Sequence, residues 1–487
     1  MRAASYHASI LASLGRFADA EPVYEEVLAG ELAREGEDGI DVATTRCSLA
    51  GIIYQRGGDL VRAEQLHRQA LETRLERLGE DNIDVAHSLN NLGMLLGAKG
   101  DWQAGLAMFE RARSIRTRLL GDHPSVAKVL QNLTTALGRL GRNTEAIETQ
   151  TEAVAVLRRL YDTDQPDLAN ALMMLGNCLL ASGQAEHGVA RLEEARGMFE
   201  RLGAVSDRRY AGVLFSIARA LLATEPGRAA ALAEEAVARL RGQTDTHLDL
   251  VFALKILGRA RFVLGELQAA DEALREGLLA HGKLQATWPE HRADLQETLA
   301  RVYLARGALP EAEAMQREAL QLIGAQSAPD KTRTAMLRDG LAETLRRRGL
   351  LADAELECRQ ALEVLGALGD PWRSTHADCL ARLATILLQR DDPRGGEQAA
   401  RACLEFRAAT TPGSPPHRKA QALLGRALMV RGDAAAAEPL LREACASAGA
   451  PSWAPEELGA AIAALVVASE RTGKQAQADE WRARLVR

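Results

Sequence analysis

Three arginines recur at similar intervals along this chain, and their guanidinium groups are well suited to binding anions. Arg219, Arg259 and Arg301 follow one another at a spacing of roughly 40 residues, and Lys255 lies one helical turn before Arg259. On a shared surface these groups would bind carboxylates or phosphates through bidentate hydrogen bonds. The alternative is that the arginines pair with acidic residues of neighbouring helices and stabilise the fold. The acidic candidates for that pairing are Asp294, Glu297, Asp339 and Glu343.

Asparagines form a second group of candidate binding residues. Asparagine is not favoured in the interior of a helix, so its recurrence in helical segments suggests that the side chain has a role. In an open groove, a carboxamide can both donate to and accept from the backbone of an extended peptide. The alternative is a ladder of hydrogen bonds between asparagines of neighbouring helices. The candidates are Asn90, Asn91, Asn132 and Asn177.

Motifs for catalysis and for cofactor binding are missing from the sequence. There is no GxxxxGK[ST] or GxGxxG loop for phosphate groups, and no HExxH motif for zinc. The six cysteines include no CxxC pair, so we expect buried free thiols in a reducing compartment. The sequence therefore predicts a protein that is not an enzyme and that uses no cofactor or metal.

Composition narrows the classes of partner. The net charge is −6, which argues against a protein that binds nucleic acid by neutralising phosphates. No stretch is long and apolar enough for a signal peptide or a membrane span. We therefore expect a cytoplasmic location and a protein or peptide partner, with neither nucleic acid nor membrane involved. The arginines suggest that this partner carries an acidic feature, and the oligomeric state stays open.

A repeat of about 42 residues organises the whole chain. The segment 78–93 and the segment 120–134 read almost as copies of each other. Small residues mark each unit at spacings of 12 and then 7, as in Gly93, Gly105 and Ala112, and the pattern recurs in twelve units. A fixed period of this size predicts stacked helical hairpins, in which small residues let the helices cross closely.

Local signals within each unit indicate where the helices begin and end. A glycine such as Gly100, between a lysine and an aspartate, is the expected stop between the two helices of a hairpin. The residues predicted to cap the first helix of successive units are Asp41, Asp84, Ser125 and Asp167.

This pattern resembles the tetratricopeptide repeat, and its longer unit resembles the kinesin-light-chain subtype. The resemblance implies an all-α fold, a right-handed superhelical solenoid of about twelve helix-turn-helix hairpins whose first helices line a concave groove. In kinesin light chains, asparagines shortly before the first small residue contact cargo peptides. Asn91 and Asn132 occupy that place here, whereas most other units carry different residue types.

The repeat is most regular in residues 1–203, which we assign to units 1–5, and more diverged in residues 204–487, which we assign to units 6–12. The favoured function is a non-enzymatic scaffold that binds a peptide or partner domain in its groove. The alternative is a regulatory or sensor arm of a larger bacterial signalling protein, such as a kinase or a transcription regulator.

Overall fold

The computed structural model describes residues 2–241, 248–284, 288–326, 330–368, 373–446 and 455–485. These residues form 24 α-helices and no β-strand. Consecutive helices pack against each other as helix-turn-helix hairpins, which gives twelve hairpins in chain order. The all-α repeat solenoid predicted from the sequence is confirmed.

The chain divides into two compact units, residues 1–287 and residues 288–487. The predicted division at residues 203 and 204 rests on the regularity of the sequence and stays a prediction. The first unit contains α1 (Arg2–Ser13), α2 (Phe17–Glu35), α3 (Ile40–Gln55), α4 (Leu60–Leu78), α5 (Ile83–Ala98), α6 (Trp102–Leu120), α7 (Pro124–Arg139), α8 (Asn143–Leu160), α9 (Pro166–Ala181), α10 (Ala185–Arg201), α11 (Arg208–Leu221), α12 (Pro226–Arg241), α13 (Leu248–Val263) and α14 (Leu267–Gly282). The second unit contains α15 (Pro289–Arg306), α16 (Leu309–Gly324), α17 (Lys331–Arg347), α18 (Leu351–Leu368), α19 (Arg373–Gln389), α20 (Pro393–Thr410), α21 (Pro415–Val430), α22 (Ala434–Ala446), α23 (Pro455–Arg471) and α24 (Gln475–Leu485).

The two helices of a hairpin occupy different sides of each unit. Within the first unit, each first helix from α3 to α11 contacts the first helix of the next hairpin. No pair of second helices approaches as closely in the residues that the structure describes. The first helices therefore form the tighter side of the stack, and we call the surface of α3, α5, α7, α9, α11 and α13 the inner wall.

Small residues allow the helices of a hairpin to cross closely. A Cβ atom added at Gly105 of α6 would lie 2.8 Å from the carbonyl oxygen of Gly93 in α5. Real Cβ atoms are not found so close to a backbone oxygen, so this crossing requires glycine. Between the two helices, Gly100 has a φ of +91°, a left-handed conformation that glycine adopts without strain. The spacing of small residues thus reports the points where helices cross and turn.

The predicted helix caps are wrong by two residues. The N-cap of α5 is Asn82, whose Oδ1 accepts a hydrogen bond of 2.8 Å from the backbone N–H of Asp84. The N-cap of α7 is His123, whose Nδ1 accepts from the N–H of Ser125. The N-caps before Asp41 and Asp167 are likewise the residues two positions earlier. The carboxylates of these aspartates lie in the first turn, where the helix dipole favours negative charge.

The helices bury one face each and expose the other. In the third hairpin, Leu92 and Phe109 are almost fully buried, as the apolar stripe predicts. Alanines at the spacing of the repeat, such as Ala63, Ala70 and Ala112, have no exposed surface. Within the described residues, no helix combines the length and the apolar composition that crossing a membrane requires.

Candidate functional site

Three of the predicted asparagines form one hydrogen-bonded group on α5 and α7. The Nδ2 atom of Asn132 donates to Oδ1 of Asn90 over 2.8 Å, which joins two neighbouring hairpins. The Nδ2 atom of Asn90 donates in turn to Oδ1 of Asn91 at 3.4 Å. Asn90 is buried, whereas Asn91 and Asn132 are half-buried. The amides of Asn91 and Asn132 therefore lie nearer to the solvent than that of Asn90.

The fourth predicted asparagine meets the first predicted arginine. On α11, Nη2 of Arg219 donates to Oδ1 of Asn177 on α9 over 2.7 Å. The pKa of the Arg219 guanidinium is lowered, first by desolvation and then by the positive charge of Arg259 on α13. The asparagine group and the arginine group, which the sequence suggests as separate candidates, thus meet on one part of the inner wall.

Positive charge accumulates where α11 and α13 adjoin. Arg219 and Arg259 are both exposed, and neither forms an ion pair with a carboxylate of the described residues. Lys255, one turn before Arg259, places its Nζ 5.4 Å from the ring centroid of Phe252. This stretch of the inner wall therefore carries guanidinium groups that are available to an anion.

Arg301 belongs to α15 of the second unit, where it is exposed. Three of the four carboxylates proposed as alternative partners form contacts with other arginines of that unit. Arg382 donates to Asp339 over 2.7 Å and to Glu343 over 2.6 Å, and Arg333 pairs with Asp294. Burial opposes ionisation of Glu343, but hydrogen bonding from Arg346 and the charge of Arg382 outweigh it and lower its pKa to about 2.

A cavity of about 250 Å³ opens between α9, α11 and α13 of the inner wall. The ring centroids of Phe215 and Phe252 lie 6.2 Å apart at an interplanar angle of 40°, so α11 and α13 share an aromatic contact beside the cavity. The cavity combines apolar and polar side chains, as ligand pockets commonly do. Its lining consists of Asn170, Met173, Asn177, Arg208, Arg209, Gly212, Phe215, Ser216 and Asp249.

Acidic residues around the cavity are neutralised by arginines of α11. Arg208 pairs with Asp249 at 3.0 Å, and Arg209 pairs with Asp167 at 3.0 Å and with Asp207 at 2.8 Å. These carboxylates therefore do not neutralise Arg219 and Arg259, which lie farther along α11 and α13. The inner wall offers an aromatic and apolar surface next to a cationic one.

Phe215 and Phe252 were not among the candidates from the sequence. Phe215 lies three residues before the small residue Ala218, a place that the repeat pattern assigns to the groove. Position alone could have identified Phe215, but its pairing with Phe252 depends on how the neighbouring helices pack.

Comparison with protein families agrees with this geometry. A tetratricopeptide repeat profile matches residues 1–76, 84–159 and 135–201, and a second tetratricopeptide repeat profile matches residues 292–323. The matched residues form tetratricopeptide repeats. A comparison with curated proteins gives no match.

Solved structures similar to this chain include BtubC (BKLC) from P. vanneervenii. That chain is 19% identical over 46% of this chain and 87% of its own length, with a TM-score of 0.38. Another is a Podosopora anserina putative kinesin light chain with nearly identical TPR-like repeats. It is 22% identical over 42% of this chain and 99% of its own length, with a TM-score of 0.35.

Proposed function

We propose that this protein is a non-enzymatic interaction scaffold whose first unit binds a peptide segment of a partner protein along the inner wall. The repeat family supports the scaffold role. The observation that carries the peptide proposal is the cluster of Arg219 and Arg259 beside the cavity of α9, α11 and α13. Two like charges on adjacent helices that pair with no carboxylate repel each other and weaken the fold. A bound anionic ligand would remove this repulsion.

The wall provides complementary groups for an extended peptide with an acidic and an apolar residue. The acidic side chain would bind Arg219 and Arg259 through charge-assisted hydrogen bonds. The apolar side chain would enter the cavity against Met173 and Phe215. Farther along the wall, the half-buried Asn91 would hydrogen-bond the peptide backbone.

An acidic peptide suits this surface better than the other partner classes do. A nucleic acid would bring many phosphates to a chain with a net charge of −6, which is electrostatically unfavourable. We place the scaffold in the cytoplasm, as the composition predicts. A regulatory arm of a larger signalling protein would use the same wall, so the following experiment applies to both roles.

A peptide-display library of random twelve-residue sequences is the first test. The full chain is immobilised, and selected peptides are compared between wild type and the double variant R219A/R259A. We expect wild type to enrich peptides that combine Asp or Glu with an apolar residue, and the variant to lose that enrichment. Each lost charge-assisted hydrogen bond would weaken a selected peptide by about tenfold or more.

The matched control is R113A/R158A, which removes two arginines from the second helices α6 and α8 of the same unit. Arg113 and Arg158 form surface ion pairs with Glu152 and Glu194, away from the first helices. This control should retain the selected peptides. Equal enrichment of acidic peptides by wild type and R219A/R259A would contradict the proposed site.

A further inference from the structure

Two cysteines and an aspartate converge inside the second unit. Cys358 of α18, Cys379 of α19 and Asp339 of α17 place their sulfur and carboxylate oxygen atoms within 4.8 Å of one another. Both cysteines have no exposed surface, whereas 16% of the Asp339 side chain is exposed. Three residues whose side chains commonly coordinate metals therefore meet at one point, and one of them, Asp339, is partly exposed to the solvent.

The sulfur atoms of Cys358 and Cys379 are 3.4 Å apart, too far for a disulfide bond of about 2 Å. Both are free thiols. In a tetrahedral zinc site, bonds of about 2.3 Å hold two sulfur atoms about 3.8 Å apart. Bringing both sulfurs onto one ion therefore requires a change of only a few tenths of an ångström.

Arg382 supplies the charge that such a site needs. Its Nε and Nη2 atoms donate to the two carboxylate oxygens of Asp339 at 2.7 and 3.1 Å, which fixes the orientation of that carboxylate. Each carboxylate oxygen keeps a second lone pair for a metal. A divalent ion with two thiolates and one carboxylate has one negative charge in excess, and the guanidinium of Arg382 neutralises it.

We propose that Cys358, Cys379 and Asp339 bind a Zn²⁺ ion. Thiolate ligands favour zinc over magnesium or calcium, and each thiol releases its proton to the solvent when it binds the metal. A water molecule completes the four ligands, as in other zinc sites with three protein ligands. The ion would enter beside Asp339, the partly exposed member of the group. The site is independent of peptide binding by the first unit.

The equivalent contact between the fourth and fifth hairpins has no thiols. Gln150 and Ala171 are 208 positions before Cys358 and Cys379, respectively. Nε2 of Gln150 donates to the carbonyl oxygen of Ala171 over 2.9 Å, and Sγ of Cys358 likewise donates to the carbonyl oxygen of Cys379 over 3.3 Å. One cysteine would suffice for this hydrogen bond. The second thiol and the nearby carboxylate are what convert the contact into a set of metal ligands.

Titration of the reduced, metal-free full chain with Co²⁺ tests the proposal. Cobalt bound by thiolates shows a sulfur-to-cobalt charge-transfer band in the near ultraviolet. We expect one Co²⁺ per chain, a band with the intensity of two Co–S bonds, and loss of the band when Zn²⁺ displaces the cobalt. C358S and C379S should weaken the band and lower Co²⁺ affinity by at least about tenfold, and D339N should lower the affinity while keeping the band.

C403S is the matched control, because Cys403 is a buried thiol of the same unit that donates to a backbone carbonyl. It should bind Co²⁺ as wild type does. Circular dichroism shows whether each variant is folded, and the wild-type titration decides the question if a variant is not. No charge-transfer band in the wild type, or an unchanged band in folded C358S and C379S, would mean a packed thiol pair only and would overturn the proposal.

Discussion

Asn132 donates a hydrogen bond of 2.8 Å to Asn90, which lies 42 residues earlier in the chain on the preceding first helix. Arg219 and Asn177 are related by the same 42-residue offset and are joined by a bond of 2.7 Å. Some polar groups of the inner wall therefore bind one another across hairpins. Arg219 gives one of its five N–H donors to Asn177, so its remaining donors and the guanidinium of Arg259 are left for a guest.

Asn132→Ala should destabilise the first unit. The substitution leaves the carboxamide oxygen of buried Asn90 without its donor, at an expected cost of about 1 to 2 kcal/mol in the free energy of unfolding. Urea unfolding followed by circular dichroism measures the change. Gln131→Ala, at a half-buried position of the same helix where the side chain forms no hydrogen bond with the described residues, is the control and should change stability by less than about 0.5 kcal/mol. Equal losses for both variants would contradict the special role of the Asn132–Asn90 bond.

Arg259→Ala should leave stability unchanged or raise it slightly. Removal of this guanidinium relieves its repulsion of Arg219, an effect of a few tenths of a kcal/mol for exposed charges. The gain should be largest in dilute buffer and should disappear in about 1 M salt, where charges a few ångströms apart are screened. Thermal unfolding of wild type and variant at two salt concentrations measures this gain in stability. A marked loss of stability would show that Arg259 supports the fold and is not reserved for a ligand.

Gly93→Ala and Gly51→Ala occupy the same place in neighbouring repeats but should act in opposite directions. A Cβ atom at Gly93 would lie 2.8 Å from Cε1 of buried Phe109, so we expect a loss of about 1 to 3 kcal/mol from overpacking. A Cβ atom at Gly51 would meet no atom within 4 Å. Since alanine restricts the unfolded chain more than glycine, Gly51→Ala should gain about 0.5 to 1 kcal/mol. Chemical denaturation compares the two, and stabilisation by both would contradict the close crossing.

The first unit should lose stability in mild acid because of His67. Burial, together with the positive charges of His87 and Arg74, lowers the pKa of His67 from 6.5 to about 4. The unfolded chain therefore takes up a proton at higher pH than the folded protein does. The stability that neutral His67 provides is complete above pH 6.5 and is lost as the pH falls towards 4, by an amount of the order of 3 kcal/mol.

His67→Leu should flatten the dependence of stability on pH between 6.5 and 4, as measured by urea unfolding at a series of pH values. His187→Leu, at an exposed position of α10, is the control and should keep the slope of the wild type. A slope that persists in His67→Leu would assign the acid sensitivity to other groups.

The helices of this protein could be predicted from the sequence because small residues recur where helices must cross. Gly93, Gly105 and Gly100 are needed by backbone geometry, and backbone geometry repeats with the period. The N-caps were misplaced because Asn82 and His123 accept the first free N–H groups from two positions earlier, and both aspartate and asparagine are suitable caps.

The binding residues were predictable only in part, because hydrogen-bond partners depend on side-chain orientation across helices. The pattern identified Asn177 and Arg219 but not their bond to each other. Cys358 and Cys379 are separated by 21 residues, half of the repeat, so no short motif reveals them. Folding brings them together because the second helix of one hairpin packs on the first helix of the next.

In the part of the chain that the structure describes, the helices of each unit contact mainly their own hairpin and the hairpins adjacent in the chain. Local opening of one hairpin therefore leaves distant hairpins protected from hydrogen exchange. A ligand held by α9, α11 and α13 would slow exchange in those helices and their immediate neighbours only. An exchange footprint measured in crude extract would consequently locate the docking region of an unknown partner before that partner is identified.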